Sequence, residues 1–205
     1  MRSLAIWGCA LAVTFGLAPQ AFATLTFDLS VEYSGGTPPS GAAPWLRAEF
    51  ADVTGGVQLT LTGLLTTNEF VTEWDFNLDP GLTPMWLGFS SVSGPIATIS
   101  TGVDLFKADG DGRYDIEFLF PTAPPSTRFN GTDQSVYLIT SSQAISASSF
   151  NFLSAPAGGS GPFVTAAHVQ GIGPGANLSG WVTTPEPTSL LGFATLIGIA
   201  PYRRR

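Results

Sequence analysis

Five charged side chains crowd into nine residues at Lys107-Ala108-Asp109-Gly110-Asp111-Gly112-Arg113-Tyr114-Asp115. Hard oxygen ligands packed closely on a tight turn are what a calcium ion takes. Aligned to a calcium loop, Asp109, Asp111 and Asp115 stand at the third, fifth and ninth positions. Gly112 then stands at the sharp sixth position, and Arg113 would offer its backbone carbonyl at the seventh. The first and twelfth positions, Lys107 and Phe118, depart from the pattern, and Asp104 is available as a further ligand. The same residues also read as a tight Asp-Gly hairpin turn with solvated carboxylates. An ion held here would be structural rather than catalytic.

Two other carboxylate pairs, Glu73/Asp75 and Asp115/Glu117, stand two residues apart. On a strand that spacing puts each pair on one face at roughly 7 Å, within range of the acid and base of glycoside hydrolysis. Any solvent-facing strand shows the same alternation. His168 is the sole histidine and no serine sits in a Gly-x-Ser-x-Gly elbow, which argues against a hydrolase and for a packed or hydrogen-bonded histidine. Zinc would need more nitrogen or sulfur ligands than the chain offers. Trp45, after Pro44, and Trp86, after Pro84, lie in loop-like stretches. They read either as platforms for stacking sugar rings or as caps on the ends of the domain, whereas Trp74 shares parity with Phe76 and Leu78 and belongs to a core.

The elements that must position these groups are strands. From Thr24 to Ser34 the apolar residues Leu25, Phe27, Leu29, Val31 and Tyr33 alternate with Thr26, Asp28, Ser30 and Glu32, the mark of a strand with one wet face. Val57–Leu61, Trp74–Leu78 and Tyr114–Phe120 repeat the pattern. Shorter strands are expected at 46–50, 87–92, 97–103, 136–140, 150–153, 163–169 and 178–182. Gly-, Pro- and Ser-rich joints separate them, and no core segment holds a 3.6-residue apolar period over three turns. The fold expected is an antiparallel β-sandwich, jelly-roll-like, over residues 24–182.

Both ends read as sorting segments. Residues 1–23 pair Arg2 with an apolar run and finish on Ala21-Phe22-Ala23, as a signal helix cleaved after Ala23 would. Residues 183–205 carry Pro185-Glu186-Pro187, an uncharged apolar stretch from Thr188 to Tyr202, and Arg203-Arg204-Arg205. A helix of that apolar length reaches roughly 22 Å, short of a ~30 Å hydrocarbon core, which suits a transient transmembrane anchor with its arginines on the cytoplasmic side. The three-part tail resembles the PEP-CTERM sorting signal of Gram-negative bacteria. The resemblance implies an exosortase-type processing enzyme as partner, acting on Pro185-Glu186-Pro187. It also implies an inner-membrane-anchored intermediate, release to the cell surface or outside, and association with exopolysaccharide. Trp74–Leu78, Asp109–Gly112 with Tyr114-Asp115, and Ala167–Gln170 resemble uncharacterised domains found with this tail, and bring no activity with them.

Trimming these ends changes the composition that matters. The lone cysteine, Cys9, falls in the leading segment, and a lipoprotein reading of it is opposed by bulky Trp7. The remaining domain has no disulfide, thiolate or cysteine metal cage. It keeps 4 basic residues against 14 acidic ones, a net charge of −10, which repels phosphate backbones and argues against nucleic acid as a partner. The expectation is an exported, non-enzymatic surface or matrix protein. A carbohydrate-binding module with a structural calcium is the alternative, and a hydrolase the second alternative.

Overall fold

The computed structural model describes residues 23–66 and 68–185. The expected signal helix, Glu186, Pro187, the apolar tail and Arg203–Arg205 lie outside the described residues. Among the described residues no helix is long and apolar enough to cross a membrane.

Two antiparallel sheets pack face to face. The first runs in the order β1 (Thr24–Leu29), β3 (Leu46–Val53), β4 (Gly56–Gly63), β10 (Gln134–Ser141) and β6 (Leu87–Ser93). The second runs β2 (Val31–Glu32), β12 (Leu178–Thr183), β11 (Thr165–Ile172), β5 (Phe70–Phe76), β8 (Asp111–Leu119) and β7 (Thr98–Ala108), with β9 (Phe129–Asn130) also pairing to β5. The alternation read from sequence decides which face of each strand is buried. Phe50, Leu59, Leu61 and Tyr137 from the first sheet meet Trp74, Phe76, Ile116 and Phe118 from the second. Edge-to-face aromatic pairs lock the layers, with Phe50 and Phe76 at 5.4 Å and Phe118 and Tyr137 at 5.2 Å between ring centroids, the geometry the ring quadrupole favours.

Three local departures from the expected strands matter. The strand read over 24–34 breaks at Ser30, whose N–H donates to the Thr183 carbonyl at 2.9 Å. The chain there leaves the first sheet and joins the second, a corner that alternation alone does not reveal. Residues 150–153 are not a strand: Ala147–Phe150 is a 3-10 turn that stacks Phe150 on Phe50 at 4.4 Å and closes one end of the core. In β5, Val71 and Trp74 both enter the core although they are three apart. The ladder to β11 accommodates this by a bulge, with His168 opposite Glu73 but Val169 opposite Val71. Thr72 is the extra residue, and beyond it Glu73 and Asp75 take the face turned away from the core.

Candidate functional site: a buried carboxylate cluster

β5 is the central strand of the second sheet, flanked by β11 and β8. Asp75 sits directly opposite Glu117 of β8 and opposite Ala166 of β11. Glu73, two residues earlier on the same face, sits opposite His168. Side chains across a ladder lie closer than neighbours along a strand. Pairing therefore assembles Glu73, Asp75 and Glu117 into one group, whose nearest carboxylate oxygens all lie within 4.8 Å of one another.

This outer face is partly roofed. Tyr114, Ala166, Trp181 and Ala108 form a second small apolar cluster with Tyr33 and Phe106, and the Tyr33 ring rests on Phe163 at 4.5 Å. The consequence for Asp75 is complete burial. Neither of its carboxylate oxygens meets an amide, hydroxyl or basic donor, the one group in hydrogen-bonding reach being the Glu73 carboxyl, and the Tyr33 hydroxyl is likewise buried without a partner. Burial, reinforced by the negative charges of Glu73 and Glu117, pushes the Asp75 carboxyl well above its usual range. Burial and then the charge of Glu117 push Glu73 up to about 7, and burial also raises Glu117.

Glu69 shows how this fold buries a carboxylate it can satisfy on its own. It is 2% exposed, and its two oxygens accept the Ser40 and Thr66 amides at 2.7 and 3.0 Å. Asp75 has no such amides. Uncompensated, a buried charge of this kind costs several kcal/mol, so the cluster must hold either a proton or a cation.

The expected calcium loop does not form. Asp109 and Gly110 are the two central residues of a hairpin turn between β7 and β8, with φ of 51° and 80° and with Ala108 paired to Asp111. Two positive φ values in a two-residue turn are the type I′ geometry that Asp-Gly favours. Asp115 instead ties two loops to β8, its oxygens accepting the Leu78 amide at 3.0 Å and the Asp104 amide at 2.9 Å. Asp104 and Asp115 do share a hollow of about 220 Å³ with Asp79. Among the described residues, however, Asp109, Asp111 and Asp115 do not converge, and Glu73, Asp75 and Glu117 are the one acidic group close enough for a single ion. Arg113 pairs its backbone with Ala155, its carbonyl accepting the Ala155 amide at 3.0 Å, so the oxygen expected to face a calcium ion is engaged in a β-bridge.

Gly112 is needed for packing instead. Its φ is +67°, and a Cβ there would lie 2.4 Å from Ser154 Oγ and 3.2 Å from the Tyr114 ring. Gly112→Ala is therefore expected to cost about 1–3 kcal/mol in a urea melt, from left-handed backbone strain plus displacement of Ser154. Gly110→Asn should be nearly silent, because a Cβ at Gly110 meets nothing within 4 Å and Asn tolerates positive φ. Equal costs at the two positions would refute this account.

The remaining site candidates separate cleanly. Trp45 is 9% exposed, and its indole N–H donates to the Gly41 carbonyl. It belongs to the core and offers no open ring for a sugar. Trp86 is 54% exposed, beside Met85 at 67%, and keeps a free aromatic surface. His168 is half-buried, stacked on Trp181 at 4.9 Å, with Nδ1 on Thr72 Oγ1 at 3.0 Å. Burial lowers its pKa, partly opposed by Asp109. It is a packed, hydrogen-bonded histidine rather than the base of a triad. Trp74 is fully buried as expected, its indole N–H donating to Thr165 Oγ1 at 3.0 Å.

Sequence reasoning missed the cluster because it paired carboxylates along strands, setting Asp115 with Glu117. The usable signal was that β5 and β8 each carry acids on one parity, so pairing them would bring those acids together. No family model, curated protein or solved structure matches the chain.

Proposed function

We propose that this chain is an exported, non-enzymatic cell-surface or matrix protein of jelly-roll-like β-sandwich fold. It is delivered by its Pro-Glu-Pro, apolar and arginine tail, cut by an exosortase-type enzyme, and works beside exopolysaccharide. The observation that carries this reading is where the domain stops needing the chain. β12 is seated between β2 and β11, and Thr183 is 1% exposed with its hydroxyl donated to the Thr165 carbonyl. Thr184 and Pro185 then leave the ladder, and Pro185 is exposed. A cut at Pro185-Glu186-Pro187 would leave every strand and the whole core intact. The alternation of the chain between sheets at β4–β5, β6–β7 and β10–β11 supports the jelly-roll-like assignment. Exposed Trp86 supplies a stacking surface for a glycan ring.

Intact-mass analysis of the protein recovered from its native host tests the processing claim. The expected mass lacks residues 188–205. Finding that segment still attached to the exported protein at steady state would sink the proposal.

A further inference from the structure

We propose that Glu73, Asp75 and Glu117 form a calcium site on the outer face of the second sheet. Three independent features point to a cation. Oxygens within 4.8 Å of one another fit around one ion, since Ca²⁺–oxygen distances of about 2.3–2.6 Å allow ligand atoms to stand roughly 5 Å apart across it. Asp75 is wholly buried, and apart from the Glu73 carboxyl of the same cluster its oxygens meet no donor, in contrast with Glu69. No basic side chain supplies the countercharge either. Among the described residues the ion pair present is Arg47–Asp28, on the other sheet, and none of the three carboxylates takes part in one.

The donor set selects the ion. Three carboxylates with no sulfur or nitrogen ligand suit a hard cation. Magnesium keeps most of its water and takes one or two carboxylates, whereas calcium accepts several together with water. Glu73 and Glu117 are only partly buried, so solvent can complete the shell from outside while Asp75 anchors it from within. The frame is stiff. The Asp75 carbonyl accepts Thr165 Oγ1 at 2.7 Å, and β5 is held on both sides by ladders. The site stands apart from the tail, so its failure and the failure of the processing claim are distinguishable.

The full exported protein, stripped with EDTA and dialysed at pH 7 in 150 mM salt, should bind one Ca²⁺ in isothermal titration calorimetry and melt at a higher temperature with Ca²⁺ than with EGTA. Glu117→Gln, an isosteric change at a partly exposed position, should weaken binding about tenfold or more. Asp75→Asn should abolish it, and Asp109→Asn should leave it unchanged. No saturable binding and no thermal shift would overturn the site and leave a shared proton in its place. Binding lost in Asp109→Asn but kept in Glu117→Gln would also overturn it, moving the ion to the hairpin turn. Binding that appears only when the titration is repeated at low ionic strength would also overturn the site, reducing the effect to the diffuse field of an acidic protein.

Discussion

Trp74→Ala is expected to destabilise the domain by about 3–5 kcal/mol, the range for emptying a large aromatic from a packed core. At roughly 2–4 °C per kcal/mol for a domain of this size, the melting temperature should fall by about 6–20 °C. Trp74 is fully buried at the centre of the second sheet. It stacks on Phe76 at 5.9 Å and meets Phe129 edge-on at 6.3 Å. Its indole N–H donates to Thr165 Oγ1, which in turn donates to the Asp75 carbonyl. The loss therefore combines a cavity with a broken polar relay beneath the carboxylate cluster. Trp74→Phe keeps most of the volume and should cost distinctly less, since it loses only part of the ring together with the hydrogen bond. A thermal melt in which Trp74→Ala shifts the midpoint by less than about 3 °C would contradict this packing account.

The second large effect concerns pH. In EDTA, stability should rise as pH falls from about 7 towards about 4.5. Folding pushes the Glu73 carboxyl up to about 7 from an ordinary value near 4.5, so between those values the folded chain binds protons that the unfolded chain has released. Unfolding free energy then falls as pH rises. Asp75 and Glu117, raised by burial, act in the same direction, as do Asp109 and Asp115 on neighbouring elements. His168, opposite Glu73, acts in reverse. Burial lowers its pKa, so the unfolded chain takes up that proton first as pH drops through 6.5. Several carboxyls outweigh one imidazole, which sets the net sign. Asp75→Asn should raise the urea midpoint at pH 7 and flatten the profile, and His168→Gln should steepen it. A wild-type midpoint that rises from pH 5 to pH 7 in EDTA would reject the buried cluster. Saturating calcium at pH 7 should abolish the acid-side gain, because a cation and protons compete for the same oxygens.

Much of this molecule is legible from residue order. Alternation in Val57–Leu61, Trp74–Leu78 and Tyr114–Phe120 marked strands and their buried faces, since a period of two follows directly from the pleat. The burial of Trp74 followed from its parity with Phe76. Asp109-Gly110 carried its hairpin turn because two positive φ values suit those residues. Residue counts alone give 24–182 no cysteine and a strongly acidic balance.

Other features needed neighbours that are remote in sequence. Trp45, after Pro44, reads from sequence either as a sugar platform or as a cap on the domain end, and tertiary folding lays this loop-borne ring onto the core, as its burial and the Trp45–Gly41 hydrogen bond record. Ser30 switches sheets because its amide finds Thr183, a residue at the far end of the domain. The carboxylate cluster depends on the register that sets Asp75 against Glu117, on the Thr72 bulge that turns Glu73 outward, and on the aromatic roof that buries Asp75. Sequence alone determined that acids alternate with core residues on β5 and β8, because local backbone geometry governs which way each side chain points. Only the tertiary structure decided that three of those acids share one site with Asp75 at its dry inner end, because the low-dielectric surroundings and the close approach of their charges arise from strands and loops that meet only in the folded chain.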